Sequence, residues 1–270
     1  MRIASLQPSI TLTLHALGRT NHLCAITKYC LEALPELAAL NLPVLHDSWT
    51  ANTAEIAATS PDLVIASVPY RMESLAAILK ASLPVLTLAP HNLASVLDDI
   101  RLLGALTNAA AEAEVLIAHI NRTLDETRAL TTSIPHPTVY CEEWGKPLIH
   151  SQTWVSELVS TAGGQFLGTP GSHTTAEAIA AADPDVLIFA WCGAGDRVPL
   201  DRVIDQRDWR HLRAVQNRQV YCIPDEYLNT PAQTLLDGLT HLAAAIHPAE
   251  FPRPERLIQL EHRNYSTQPV

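Results

Sequence analysis

Residues 53–65 read TAEIAATSPDLVI, and residues 175–188 read TAEAIAAADPDVLI. The two stretches correspond with an offset of 122 residues at their first Thr (53 and 175) and 123 at their Pro (61 and 184), so one inserted residue separates them. Each combines a helical pattern with a Pro-Asp turn and a short apolar run typical of a buried strand. We therefore predict two lobes with the same helix-then-strand organisation.

Short apolar runs alternate with amphipathic helical patterns on both sides of these stretches, which favours an α/β fold with mainly parallel strands. The predicted strands are 2–6, 22–27, 63–66, 85–88, 138–141, 186–190 and 220–223. The predicted helices are 10–17, 53–59, 72–80, 93–106, 154–162, 175–181 and 231–245. Both lobes are expected to be Rossmann-like.

Residues 108–133 contain neither Gly nor Pro and are rich in Ala, Glu, Leu and Arg, which predicts one continuous helix. Such a helix would be roughly 35–40 Å long, and Pro135 and Pro137 end it. We expect it to be a rigid backbone helix that joins the lobes with little hinge motion. The predicted organisation is an N-terminal lobe over 1–107, the helix over 108–133, a C-terminal lobe over 134–251 and an appended tail over 252–270.

The composition excludes several classes of protein. The 270 residues include 18 basic and 28 acidic side chains, which give a net charge of −10. A chain this acidic lacks the basic surface that binds nucleic acids and anionic membranes. Because no run of about 18 apolar residues is present, we predict no membrane-spanning helix and no membrane insertion.

The five cysteines and the N-terminal residues bear on the cellular compartment. The cysteines are odd in number and contain no CxxC pair, so we expect small buried apolar residues rather than a disulfide framework. The first residues lack the basic and long apolar regions of a secretion signal. We therefore expect a cytoplasmic protein, or a periplasmic one if the sequence begins at a mature domain.

Aromatic and polar residues cluster in the predicted loops that follow strands. In α/β lobes these loops leave the carboxyl end of the sheet, where ligands bind. The candidate ligand-binding residues are Tyr29, Cys30, Trp49, Tyr70, His91, Glu143, Trp144, Trp191, Cys192, Tyr227 and Asn229. Aromatic side chains at several strand ends favour a cleft for a large, flat and partly apolar ligand. An open alternative is that Trp49, Trp144 and Trp191 only fill the contact between the lobes.

Enzymatic and metal-binding sites are weaker interpretations. Glu142 and Glu143 are adjacent at a strand end and point to opposite faces, which disfavours a catalytic acid–base pair. The GxSxG pattern of a hydrolase nucleophile is absent, and we predict no catalytic residue. Cys30, His91 and Cys192 offer thiolate and imidazole ligands for zinc, copper or iron. No two of them have a local ligand spacing, so a cytoplasmic metal-binding protein is kept only as an alternative.

Several segments of the chain together resemble one family. They are residues 2–9 (RIASLQPS) before a helix that ends at Leu17-Gly18, then 53–65, 92–103, 142–144, 154–164, 214–221 and the closing His247-Pro248. In this order they resemble the class III substrate-binding proteins of ABC importers over roughly residues 2–251, and most of all the cobalamin-binding branch. The resemblance implies two α/β lobes joined by one backbone helix, with the ligand in the cleft between them.

The resemblance also implies roles for individual residues. From the first lobe, Tyr29 and Trp49 would pack on the corrin ring. The residues that would face it from the second lobe are Glu143, Trp144, Trp191 and Cys192. In this family a glutamate on each lobe pairs with arginines of the permease, and Glu55 and Glu177 occupy those positions. A solvated glutamate favoured by the dipole at the start of a helix explains both positions equally well.

The expected ligand is a corrinoid, bound by a non-enzymatic monomer that requires no cofactor. His91 is a candidate axial donor to cobalt. The resemblance also implies a third aromatic residue just after the third strand; Ser67 occupies that position, and Tyr70 is the nearest substitute. The basic residues of the predicted loops are only Lys28, Arg71 and Lys146, which favours a neutral ligand. The alternative is a ferric siderophore or haem bound by the same fold.

Overall fold

The computed structural model describes residues 1–261, which divide into two compact units. The first unit contains Met1–Leu124 together with Thr230–Leu236, and the second contains Asp125–Asn229 together with the described residues from Asp237 onward. The chain thus returns to the first unit at Thr230–Leu236. In this return segment, Gln233 donates a hydrogen bond from Nε2 to the carbonyl oxygen of Leu12 (3.1 Å). The boundaries proposed at residues 107, 133 and 251 stay predictions, and residues 262–270 of the predicted tail lie outside the described residues.

The first unit is built on a parallel five-stranded sheet. Its strands are β1 (Ile3–Ser5), β2 (Leu23–Thr27), β3 (Val44–Leu45), β4 (Leu63–Ser67) and β5 (Val85–Leu88). They are ordered β3-β2-β1-β4-β5, and every neighbouring pair is parallel. Strands β1, β2 and β4 consist almost entirely of buried residues, as expected for the centre of a parallel sheet. The four strands predicted in this region are confirmed.

Helices follow the strands of the first unit. They are α1 (Pro8–Ala16), α2 (Lys28–Ala33), α3 (Thr53–Ala58), α4 (Met72–Lys80) and α5 (Leu93–Leu106), with 3₁₀ turns at Thr20–His22 and Pro35–Leu40. The bounds of α4 and α5 agree with the prediction to the residue. Helix α2 contradicts the prediction of a loop at Lys28, Tyr29 and Cys30. It forms because the hydroxyl of Thr27 accepts a hydrogen bond from the backbone N–H of Cys30 (3.3 Å) and caps the helix.

Helix α6 (Ala110–Thr131) carries the chain from the first unit into the second. Its 22 residues lie inside the predicted range, so the continuous helix is confirmed. At about 1.5 Å per residue it is roughly 33 Å long. Its action as a rigid connection stays a prediction. Neither α6 nor any other helix within residues 1–261 is long and apolar enough to cross a membrane.

The second unit contains a mixed seven-stranded sheet. Its strands are β6 (Thr138–Gly145), β7 (Leu148–His150), β8 (Gln165–Phe166), β9 (His173–Thr174), β10 (Val186–Phe189), β11 (Val220–Cys222) and β12 (Ile258–Gln259). The order is β12-β11-β10-β6-β7-β9, and β8 pairs with β6. Strands β6, β10 and β11 form a parallel centre, to which β7, β9 and β12 add antiparallel pairs. The three strands predicted here are those of the parallel centre.

Strand β6 is longer than predicted. It continues past Cys141 to Gly145, so Glu142, Glu143 and Trp144 lie in the strand rather than in a loop after it. The extension exists because it pairs with β7, where Glu142 lies opposite His150. A register shift between Glu142 and Trp144 interrupts this pairing.

Six helices follow along the chain, in the second unit and in the segment that returns to the first unit. They are α7 (Thr153–Thr161), α8 (Ala176–Ala182), α9 (Leu200–Gln206), α10 (Arg213–Gln216), α11 (Asp225–Leu228) and α12 (Leu235–Ile246), with a 3₁₀ turn at Trp209–His211. The bounds of α7 and α8 agree with the prediction within one residue. Helix α12 begins later than the predicted residue 231, and α11 corrects the loop predicted at residues 225–227.

The two repeated stretches build the same local structure in both units. Helix α3 precedes β4 in the first unit, and α8 precedes β10 in the second. Asp62 Oδ2 accepts a hydrogen bond from the backbone N–H of Arg2, before β1 (2.7 Å), and Asp185 Oδ2 accepts one from the backbone N–H of Thr138, in β6 (2.8 Å). The predicted common organisation of the two lobes is therefore confirmed, and the structure adds an equivalent hydrogen bond from the Asp of each stretch.

Candidate ligand-binding site

Four of the predicted binding residues lie at the carboxyl edge of the first sheet. Trp49, Tyr70 and His91 are in the loops after β3, β4 and β5, and Tyr29 is in the first turn of α2, directly after β2. Because parallel strands end at the same edge, the fold brings these four residues to one side of the sheet. From β1 the successive strands are added towards one side of the sheet as far as β3, and β4 and β5 are added on the other side. The switch point between β1 and β4 is the usual ligand-binding position in such sheets.

Hydrogen bonds connect the loops of this edge. Gln7, which follows β1, donates from Nε2 to the carbonyl oxygen of Pro69 after β4 (2.9 Å). The backbone N–H of Ser48, after β3, donates to the carbonyl oxygen of Leu6 (3.1 Å). The loops after three strands therefore form one connected surface. The sequence prediction missed Gln7, although its place between β1 and the Pro that begins α1 marks it as a strand-end polar residue.

The aromatic side chains of the first edge combine accessible rings with neighbouring cations. Trp49 is 49% exposed, and the guanidinium carbon of Arg71 lies 5.9 Å from its ring centre. Tyr29 is half-buried, and the ammonium of Lys28 lies 4.6 Å from its ring centre. Tyr70 is half-buried and packs against the core of the unit. Such rings offer apolar faces to a flat ligand.

The thiol of Cys30 lies in the interior of the first unit rather than at this edge. Cys30 is 1% exposed, and its Sγ accepts a hydrogen bond from Thr11 Oγ1 (3.1 Å) and lies 3.2 Å from Thr27 Oγ1. Burial raises the pKa of Cys30, which keeps the thiol neutral. Its contacts give Cys30 a structural role at the start of α2.

His91 is exposed and lies two residues before the first residue of α5. Its backbone N–H donates to Ser95 Oγ (2.8 Å), and the side-chain oxygen of Asn92 accepts from the backbone N–H of Ser95 (2.9 Å). These bonds fix the backbone of His91 as part of the helix cap. The role of His91 as an axial donor stays a prediction. Across residues 1–261, no three His, Cys, Asp or Glu side chains are grouped so that they could hold a metal ion.

A buried ion pair lies at the carboxyl end of the second sheet. Glu142 is fully buried, and its carboxylate oxygens accept hydrogen bonds from both terminal nitrogens of Arg207 (2.7 and 2.8 Å). The carboxylate also accepts from the hydroxyl of Tyr140 (2.5 Å) and from the indole N–H of Trp191 (2.7 Å). Burial and the charge of Glu142 raise the pKa of Tyr140, so its hydroxyl remains a donor. The sequence prediction missed Arg207, although a carboxylate directly after an apolar strand signals a buried cation nearby.

Trp191 is in contact with several parts of the second unit. It makes an edge-to-face contact with Phe189, with ring centres 6.4 Å apart at 88°. The guanidinium carbon of Arg207 lies 6.0 Å from the centre of the indole. The indole also packs directly on Gly145, where a Cβ atom would lie 2.4 Å from it. The missing side chain at Gly145 therefore leaves the room that the indole occupies.

Glu143, Cys192 and Asn229 form a polar cluster, in which Cys192 is the residue that follows Trp191 in the chain. Gln152 donates from Nε2 to Glu143 Oε2 (2.7 Å), and the Sγ of Cys192 lies 4.0 Å from Glu143 Oε1. The Nδ2 of Asn229 lies 3.3 Å from Cys192 Sγ and donates to a backbone carbonyl oxygen (2.7 Å). The structure thus brings together three of the predicted binding residues. The partners of Glu143 differ from those of Glu142, which agrees with the prediction that these adjacent residues of one strand point to opposite faces.

The carboxyl group of Glu143 has an unusual environment. Burial raises its pKa, and the hydrogen bond from Gln152 opposes this shift. Burial and the charge of Glu143 in turn raise the pKa of Cys192, so its sulfur is a neutral thiol at pH 7. Within the part of the chain that the structure describes, no basic side chain pairs with Glu143. The group therefore has the capacity to accept a hydrogen bond from a ligand.

Helix α11 holds the loop after β10. The carboxylate of Asp225 accepts hydrogen bonds from the backbone N–H groups of Gly193 (2.8 Å) and Gly195 (2.7 Å). Tyr227, in the same helix, is half-buried, and its ring centre lies 5.0 Å from that of His241. Trp144 is 44% exposed and donates from its indole N–H to the carbonyl oxygen two residues later, in the β6–β7 turn (2.9 Å).

Glu55 and Glu177 occupy equivalent positions in the first turns of α3 and α8. The carboxylate of Glu55 is hydrogen-bonded to His46 Nδ1 (2.7 Å) and Asn52 Nδ2 (3.2 Å), and the bond with His46 lowers its pKa. Glu177 is exposed, and hydrogen bonds from its own backbone N–H and from Thr175 lower its pKa. Both residues are therefore anionic at neutral pH.

Comparison with known proteins shows the family. The family model described as "Periplasmic binding protein" matches residues 3–227, which is most of the chain. The chain therefore belongs to the periplasmic binding protein family, whose members are non-enzymatic substrate-binding proteins of transporters. One relative, the "uncharacterized ABC transporter substrate-binding lipoprotein YvrC" of Bacillus subtilis, is 22% identical over 263 residues, which cover 93% of this chain and 81% of that protein.

Solved structures share the fold. A periplasmic heme-binding protein from Pseudomonas aeruginosa superposes with a TM-score of 0.83 at 22% identity, covering 97% of this chain and 98% of that one. The periplasmic vitamin B12 binding protein BtuF of Vibrio cholerae has a TM-score of 0.74 at 23% identity, covering 92% of this chain and 97% of that one. These likenesses confirm the two-lobed α/β fold. They do not single out the cobalamin-binding branch that the sequence resembles.

Proposed function

We propose that this protein binds cobalamin or a related corrinoid and delivers it to an ABC transporter. Each unit offers aromatic faces for a flat ligand at the carboxyl edge of its own sheet, Tyr29 and Trp49 in the first and Trp191 in the second. The observation that carries the proposal is Glu143, a half-buried carboxyl group without a basic partner among residues 1–261.

The chemistry of this carboxyl group favours a neutral ligand with hydrogen-bond donors. Glu143 Oε2 accepts from Gln152, whereas Oε1 lies only beside the weak thiol donor of Cys192. A corrin ring carries peripheral carboxamides, whose N–H groups are suitable donors for Oε1. The propionates of haem and the anionic donors of ferric siderophores would add negative charge beside a carboxyl group that burial already destabilises as an anion.

The basic residues of the first edge are already engaged. Lys28 lies against the ring of Tyr29, and Arg71 lies against the ring of Trp49. Arg71 is also 3.8 Å from the carboxylate of Glu73. Neither cation is therefore reserved for an anionic ligand, which is consistent with a neutral one.

Titration of the purified protein, followed by calorimetry and tryptophan quenching, tests the proposal. Cyanocobalamin or cobinamide should bind with a Kd of about 1 μM or lower, and more tightly than hemin or a ferric siderophore. Glu143→Gln should weaken corrinoid binding by about tenfold, because it replaces a charge-assisted hydrogen bond with a neutral one. The control is Glu250→Gln, an exposed carboxylate whose change should leave the affinity unaltered.

The opposite result has a distinct signature. If hemin binds the wild-type protein more tightly than any corrinoid, and Glu143→Gln tightens it further, the corrinoid proposal is wrong. The family assignment does not depend on this outcome, because it rests on the match over residues 3–227.

We further propose that Glu55 and Glu177 are the contacts for arginines of the permease. Both are anionic, and they occupy the same position of the repeated stretch in each unit. The double variant Glu55→Ala with Glu177→Ala should keep its corrinoid affinity and lose its complex with the transporter, measured by co-purification. A double variant that co-purifies as well as the wild type would contradict the proposed contacts.

A further inference from the structure

Residues 252–261 are part of the second unit's fold, although they lie beyond the residues that the family model matches. Leu257 is 1% exposed, and β12 pairs with β11. The backbone N–H of Leu260 also donates to the carbonyl oxygen of Val220 (2.9 Å). The backbone on the C-terminal side of Arg256 is therefore anchored to the sheet.

Arg256 makes contacts with a helix and a loop at the carboxyl edge of this sheet. Its Nη1 donates to Glu226 Oε1 (2.6 Å) and to the hydroxyl of Tyr227 (3.2 Å), both in α11, which follows β11. Its Nε donates to Asp196 Oδ2 (3.2 Å), in the loop after β10. The guanidinium carbon also lies 5.3 Å from the ring centre of Tyr227. One side chain thus bridges the two segments, helix α11 and the loop after β10, that follow neighbouring strands.

The loop that Arg256 reaches is the one that carries Cys192. This loop is already held on one side by Asp225, through the N–H groups of Gly193 and Gly195. Asp196 is the next residue after Gly195, so its bond with Arg256 holds the same loop from the C-terminal segment. The position of the loop therefore depends on contacts from α11 and from the C-terminal segment together.

We infer that Arg256 is a positioning residue, which fixes the loop after β10 to α11 so that Cys192 and Tyr227 are presented to the ligand in one arrangement. The part of this inference that concerns the ligand rests on the proposed function. The part that concerns the loop does not, because the contacts of Arg256 are all within the second unit.

Hydrogen exchange of the ligand-free, full-length protein tests the loop directly. Arg256→Met should raise amide exchange about three- to tenfold in residues 193–198 and 225–229, where its partners lie. The matched control is Arg210→Met: Arg210 also bridges two carboxylates, Asp201 and Asp205, and its side chain is 36% exposed against 39% for Arg256. The control should raise exchange only near residues 200–211. Exchange at 193–198 that is the same in both variants would overturn the inference.

Corrinoid titration of the same variants tests the positioning of the ligand contacts. Arg256→Met should weaken cobinamide binding about three- to tenfold, Arg256→Lys should restore part of the loss, and Arg210→Met should bind like the wild type. Unchanged affinity in Arg256→Met, in a protein whose wild type binds cobinamide, would overturn the role in presenting Cys192 and Tyr227. If the wild type binds no corrinoid, the proposed function fails, whereas the exchange measurement still decides whether Arg256 holds the loop.

Discussion

Trp49 and Trp191 stand at the carboxyl edges of two sheets, yet the two units hold them in different ways. Trp191 donates to a buried carboxylate, packs on Gly145 and meets Phe189 edge to face. Trp49 is 49% exposed and has a single cation at 5.9 Å from its ring. Trp191 is therefore ordered before any ligand binds, whereas Trp49 has more conformational freedom.

The difference has an energetic consequence. A side chain that is ordered in the free protein loses little conformational entropy on binding, whereas a mobile one loses about 0.5–1.5 kcal/mol. The order of Trp191 depends on a buried charge pair, which stabilises the fold only while both partners are present. We expect changes in the second edge to affect stability and binding together, and changes in the first edge to affect binding alone.

The largest expected effect comes from breaking the buried ion pair of the second unit. Arg207→Ala leaves the charge of Glu142 buried without its partner and should lower the free energy of unfolding by about 3–5 kcal/mol. Arg71→Ala in the first unit, where the side chain is 52% exposed, should change it by less than about 0.5 kcal/mol. Urea unfolding followed by circular dichroism measures both, and equal losses would remove the contrast between the two edges.

The next effect concerns the two tryptophans themselves. Gly145→Ala places a Cβ atom where the indole of Trp191 lies, so the ring must move, and corrinoid binding should weaken about tenfold or more. The near-ultraviolet circular dichroism of the free protein should change as well. Trp49→Ala should weaken binding by about tenfold with an unchanged Tm, because it removes an exposed ring. A Gly145→Ala variant with wild-type dichroism would show that Trp191 is not positioned by this contact.

The smallest effect is a pH dependence in the first unit. Burial and the charge of Asp98 raise the pKa of Asp99 in α5 from 3.8 to about 6. Because the folded state holds this proton more tightly than the unfolded state, the stability of the wild type should fall as the pH rises from about 4 to about 6. Asp99→Asn should remove this component and stabilise the protein by about 1 kcal/mol at pH 7, allowing for partial solvent screening, with no gain at pH 4.

Urea unfolding at the two pH values measures this effect. The control is Asp125→Asn, whose side chain is 73% exposed and which should show no pH-dependent gain. An Asp99→Asn gain that is equal at pH 4 and pH 7 would mean that the carboxyl group does not titrate in this range.

Regular periodic patterns made much of the fold predictable. Helices α4 and α5 were predicted to the residue, since apolar side chains recur along each of them at helical spacing. The antiparallel strands β7, β9 and β12 were missed, because two or three residues are too few to show a period. Helix α2 was missed for a different reason: its cap depends on a hydroxyl at Thr27 and not on hydrophobic pattern.

The site was predictable to the extent that it depends on the ends of strands. Tyr29, Trp49, Tyr70 and His91 were predicted at one edge, because a parallel sheet places all its carboxyl ends together. Arg207 was not found, since its partner Glu142 lies 65 residues away and no local spacing relates them. Contacts of this kind are set by packing in three dimensions.

The return of the chain to the first unit affects the order in which the protein matures on the ribosome. Helix α1 is synthesised early, but the amide of Gln233 that bonds to Leu12 emerges only after most of the second unit has been made. Domains usually fold in the order of their synthesis, the N-terminal one first. Here the unit that is made first receives its last piece late, so a nascent chain that stops before residue 230 carries an incomplete first unit.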